Sequence, residues 1–193
     1  FGSSRFGSSP VHHFGVFSAG NMRSTRIACL AISALIFAVV DKTCTFTGNE
    51  RVYLGAKITE AEVVAAQKAW GEALVQISLT YENEGLAAAK ALAGQVLDGA
   101  YGYTVGAVLF KPTLTSGDQV FRPTREGCLA YFVGGNPAYP KDKGFALKGW
   151  RSVAILNSAI FIEGNTAVTV GNVLITDKSG TVTKVDKTWA FHK

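Results

Sequence analysis

Histidine is scarce in this 193-residue chain. There are three, His12, His13 and His192, beside three cysteines, five prolines and one methionine. Two of the histidines sit in the N-terminal leader and the third at the far end, so a three-histidine zinc site cannot be built from one folded unit. No cluster of His, Cys, Asp or Glu stands at zinc-ligand spacing either. Cys29, Cys44 and Cys128 form no C-x-x-C pair and no disulfide framework. A Cys44–Cys128 bridge in an oxidising compartment stays open. Charge is sparse at 17%, and the 19 basic residues outnumber the 14 acidic ones without forming a block. Four of those bases and one of those acids lie in residues 1–43, so the remainder is close to neutral. Its basic residues are scattered, with no Arg/Lys stripe interleaved with aromatics, and this excludes a nucleic-acid footprint. No apolar run reaches the ~20 residues of a relaxed membrane span.

Hydrophobic residues make up 48% of the chain, enough for one domain with a real core. Residues 1–21 read as a non-structural leader or upstream read-through. They repeat Phe-Gly-Ser-Ser, and the chain begins with Phe rather than Met. Met22 opens a different pattern, with Arg23 and Arg26 ahead of the apolar run Ile27 to Val40. That is the layout of a signal peptide over 22–40, cleaved near Ala38 to Asp41; a buried helix or a signal anchor is the alternative. Residues 41–58 form a polar linker, and 59–193 the folded domain.

Thr59-Glu60-Ala61-Glu62 is a capping box. Val63, Ala66, Trp70, Leu74, Ile77 and Tyr81 follow at helical spacing. A second, Ala-rich helix runs from about Leu86 to Leu97 and ends before Gly99 and Gly102. After residue 150 the pattern changes to long alternating runs. Trp150–Ile162, Thr166–Thr176 and Thr181–Phe191 read as strands, separated by the turns Glu163-Gly164-Asn165 and Asp177-Lys178-Ser179-Gly180. Thr183, Val185, Trp189 and Phe191 share one parity of the last run. Helices followed by an antiparallel meander define an α+β fold, with a curved sheet wrapping the N-terminal helices into a cone. The chain stops inside or just after a strand, so the natural domain is expected to continue by about one more strand.

Between helices and meander lies Tyr101 to Gly135. Val105–Phe110 is expected as a short strand, followed by a polar loop. A short helix then spans Arg125–Val133, started by Pro123-Thr124 and stopped by Gly134-Gly135. This would set the Thr113 hydroxyl near the Tyr131 phenol at the mouth of an apolar pocket. The plainer reading also holds: a turn threonine and a packed tyrosine.

Several segments together resemble one family. They are Tyr101-Gly102-Tyr103, Val108-Leu109-Phe110-Lys111-Pro112-Thr113 and Ala130-Tyr131-Phe132-Val133-Gly134-Gly135. Gly144-Phe145-Ala146 and Lys184-Val185-Asp186-Lys187-Thr188-Trp189-Ala190-Phe191 complete the set. From about Ala61 to Lys193 they look like the iota-class carbonic anhydrases. These are cones of the nuclear-transport-factor-2-like (SnoaL-like) kind, related to the association domain of calcium/calmodulin-dependent kinase II. The resemblance implies reversible hydration of carbon dioxide to bicarbonate without a bound metal or other cofactor. It implies Thr113 and Tyr131 as catalytic pocket residues. The family's remaining His and Ser lie on a final strand that this sequence does not contain, and His192 is not their match. The 193-residue chain is therefore expected to have little or no hydratase activity until extended. The resemblance further implies a homodimer or higher homo-oligomer. Localisation follows from the signal: the secretory path, or the chloroplast of an alga with complex plastids. The alternative function is a non-catalytic oligomerising module. An isomerase is weaker, since no Asp or Glu is placed in the pocket beside a Tyr.

Overall fold

The structure is a computed structural model that describes the backbone of residues 14–18 and residues 56–193 in full. The expected signal segment, most of the linker, His12, His13, Cys29 and Cys44 lie outside the described residues. In chain order the elements are β1 (Phe14–Ser18), α1 (Glu60–Glu84), α2 (Leu86–Ala100), α3 (Arg125–Val133), β2 (Trp150–Glu163), β3 (Thr166–Asp177) and β4 (Val182–His192). Short 3-10 turns occur at Gly102–Thr104 and Phe145–Leu147.

Local chemistry accounts for most boundaries. The capping box forms in both directions: the Glu62 amide donates to Thr59 Oγ1, and the Thr59 amide donates to the Glu62 carboxylate. The helix-stopping Gly85 at φ 86° separates α1 from α2. Thr124 caps α3 by accepting from the Gly127 amide, and Gly134 ends it at φ 66°. Between β3 and β4, the Asp177 carboxylate accepts from the Ser179 and Thr181 amides and fixes the turn.

Strands β2, β3 and β4 form an antiparallel meander, with a register shift in β2 between Asn157 and Ala159. Its inner face carries Ala167, Val173 and Ile175 of β3 and Val185, Trp189 and Phe191 of β4, all buried under the helices. Helix α1 crosses β2 closely at Gly71, where an added Cβ would meet Val153 Cβ at 3.0 Å. In that interface Gln67 and Asn157 exchange amide hydrogen bonds of 2.8 and 2.7 Å, and Gln67 also donates to Thr169. Buried amides so satisfied cost little and fix the register.

Two expectations change. Val105–Phe110 is not a strand. Val108 and Phe110 plug into the core while Val105 and Leu109 are exposed, and the Phe110 amide bonds back to Val108 rather than to a neighbouring strand. β-branched and aromatic composition marks a chain that buries side chains, and burial can be met without a ladder. Within 1–21, expected to be non-structural, Phe14–Ser18 is a strand. It pairs in parallel with Thr188–His192, so the sheet order is β1-β4-β3-β2 and that stretch of β4 is not an open edge. An edge strand offers a row of unpaired amides and carbonyls that any extended segment can satisfy.

Candidate active site

The hydroxyl and the phenol reach the same place from different directions. Thr113 lies at a turn rather than at a strand end: the Thr115 amide and hydroxyl both bond the Pro112 carbonyl, which folds the chain around Thr113 and Leu114. Pro112 is buried and anchors this turn, while Thr113 is half-buried. Tyr131 lies on α3, whose start and stop are set by Thr124 and Gly134. Both residues line one small cavity of about 10 Å³, with Trp70, Phe110, Phe132, Phe145, Ile175, Val185 and Lys187 completing its wall. That is room on the scale of one water molecule.

Most of the wall is aromatic. Phe110 meets Tyr131 edge-on at 5.9 Å and stacks on Phe132 at 6.1 Å. Tyr131 stacks on Phe145 at 5.2 Å, and the Phe145 carbonyl accepts the Trp150 indole N–H at 2.7 Å. Tyr131 and Phe145 also line a second, wider cleft of about 240 Å³. The cleft is polar, bounded by Ser116, Asp118, Gln119, Lys141, Lys143 and Lys148 among others. The Tyr131–Phe145 stack is thus the partition between a wet cleft and a greasy chamber.

Burial pushes the Tyr131 phenol above its ordinary pKa, with the Leu114 backbone amide opposing. It stays a neutral donor at all ordinary pH. The same cause pushes the Cys128 thiol up to about 12. Cys128 is buried and free, an inert packing residue rather than a nucleophile. His192, set aside on sequence, is exposed at the end of β4 and its ring faces Thr166. Among the described residues no group of three or more His, Cys, Asp or Glu could hold a metal ion.

Lys187 is the residue the sequence reading passed over. It shares the parity of Val185 and Trp189 and is buried with them. Its Nζ lies 4.4 Å from the centre of the Trp70 ring, 5.1 Å from that of Trp189 and 6.0 Å from that of Phe110. Desolvation brings its pKa down to about 8. The signal was available: a lysine among apolar residues on the inward parity of a strand is out of pattern.

Helices packed on an antiparallel sheet, closing on a small and mostly aromatic chamber, define an α+β protein. The chain belongs to the metal-independent carbonic anhydrases, a family that matches residues 61–193. A metal-independent carbonic anhydrase from Nostoc sp. (strain PCC 7120 / SAG 25.82 / UTEX 2576) is 55% identical over 185 residues, covering 90% of each chain. The crystal structure of the iota-carbonic anhydrase from a cyanobacterium complexed with bicarbonate is similar at a TM-score of 0.71. It shares 62% identity and covers 75% of this chain and 88% of that one.

Proposed function

We propose that this chain catalyses the reversible hydration of carbon dioxide to bicarbonate in the chamber between Thr113 and Tyr131. The observation that carries the reading is that a turn hydroxyl and a helix phenol, 18 positions apart in sequence, line one apolar void in a chain of this family. Carbon dioxide is small and apolar, and aromatic walls suit it. As water attacks its carbon, negative charge grows on the oxygens. Preorganised neutral donors in a water-poor chamber stabilise that charge where bulk water would have to reorient. The Thr113 hydroxyl has no hydrogen-bond partner among the described residues, so it is available to do this. The chamber is smaller than bicarbonate, so occupancy requires its walls to part. The Thr113 turn, the wall without regular structure, is the side that can yield.

The attacking water must lose a proton, and no histidine lines the chamber among the described residues. The proposal therefore includes a curved, cone-like sheet closed by a further strand that bears a histidine as base and a serine as donor. It also includes self-association through the outer sheet face, where Leu156, Phe161, Val170 and Val182 are exposed, and export directed by residues 22–40. Among the described residues no helix is long and apolar enough to cross a membrane.

Stopped-flow hydration of carbon dioxide by this chain, and by the chain extended with such a strand, tests the assignment. The extended form should be the faster. Within an active form, Tyr131→Phe and Thr113→Val should each lower kcat/KM by about a hundredfold, as loss of one donor to a developing oxyanion does. Thermal unfolding should barely move. Rates that survive both changes would return the two residues to packing. Sedimentation equilibrium tests the self-association, and a reporter fused behind residues 22–40 tests the address.

A further inference from the structure

Lys187 is a cation buried without an anion. Its ammonium touches the faces of Trp70 and Trp189, and no carboxylate or hydrogen-bond acceptor is bonded to it among the described residues. Register explains why it has space and no partner. Its cross-strand neighbour on β3 is Gly171, which offers no side chain. Beyond Gly171 in the same row stands Asn157, whose amide is already committed to Gln67. Isolated buried charges are costly, so one that lies beside a cavity is a candidate for a functional role.

We propose that the Lys187 ammonium is the cationic contact for the anion held between Thr113 and Tyr131. Charge would come from the sheet and hydrogen bonds from the turn and helix. This rests on the hydratase reading and adds to it the group that separates an anion from neutral carbon dioxide. A planar monoanion in the chamber gains an ion pair at low dielectric, and two neutral hydroxyls alone would not offset its desolvation. Trp70 holds the ammonium by its ring face, which attracts the cation without neutralising it. The site therefore keeps its positive charge when empty.

The test uses the whole chain with bicarbonate and with nitrate, a planar monoanion that does not titrate. Binding is read from tryptophan fluorescence, since Trp70 and Trp189 both touch Lys187, and from carbon-13 resonances of bicarbonate. Lys187→Met should fold and lose about tenfold or more in affinity for both anions, whereas Lys187→Arg keeps the charge and most of the affinity. Lys187→Met binding within about twofold of the unaltered chain overturns the proposal. Should Lys187→Met fail to fold, the unaltered chain decides. Its nitrate affinity should fall severalfold between about pH 7 and about pH 9.5 as the ammonium deprotonates. The titratable groups facing Lys187, Cys128 and Tyr131 on α3, both remain neutral over that range. A flat profile overturns the proposal. Lys187-dependent anion binding in a chain that never hydrates carbon dioxide, even when extended, would remove the hydratase reading and keep this one. Hydration with no role for Lys187 in anion affinity would do the reverse.

Discussion

Two cations are buried in this domain, and they are buried in opposite ways. Arg122 and Asp142 form an ion pair whose side chains are only 4% and 5% exposed, and the guanidinium also lies 4.5 Å over the Tyr139 ring. Each charge is balanced, so the pair is part of the fabric that fixes the loop before α3 against the loop after it. Gly127 shows how tight that fabric is: an added Cβ would come within 2.7 Å of the Tyr139 hydroxyl. Lys187 has aromatic faces in place of a counter-ion. The comparison teaches that burial alone does not identify a functional charge. Burial without a partner, beside a cavity, marks a candidate.

The sharpest way to break that contrast is to leave Arg122 as bare as Lys187. Asp142→Ala should cost about 3–5 kcal/mol, because an uncompensated guanidinium remains inside. Urea denaturation reads this, and a loss under about 1 kcal/mol would show the pair to be open to water. Lys187→Met goes the other way. Removing an unpaired charge should leave stability equal or raise it by roughly 1–3 kcal/mol at neutral pH.

Lys187 should also make stability depend on pH. The folded chain holds the Lys187 pKa near 8, below its ordinary value of 10.5. Between those values the unfolded chain binds a proton that the folded chain has released, so this group makes stability rise with pH. The unaltered chain should gain on Lys187→Met from about pH 8 to about pH 10.5, with other lysines and tyrosines cancelling in the difference. Parallel unfolding curves over that window would mean that the ammonium is hydrated. The mildest change is a control far from both cations. Thr59→Ala removes one half of the α1 capping box and should cost about 1 kcal/mol, with anion affinity unchanged.

Helices were the most legible part of the sequence. The bounds expected for α3, Arg125–Val133, are those observed, because a threonine cap and a glycine stop act on their own neighbours. Strands β2, β3 and β4 also follow their alternating runs to within about two residues. Val105–Phe110 is no strand because its apolar residues serve the core one by one and meet no pairing strand. Lys187 escapes a reading by apolar parity because it is the one charged residue that shares it.

The sequence by itself determined where most elements begin and end and which faces are apolar. These depend on caps, periods and turns, whose physics acts over a few residues. Only the tertiary structure decided that Thr113, Tyr131 and Lys187 share a chamber, and that Arg122 meets Asp142 while Lys187 meets two indole faces. Whether a buried charge finds its opposite depends on which distant segments pack beside it. No local rule encodes that, because the free energy of a charge in a protein interior is set by everything that surrounds it.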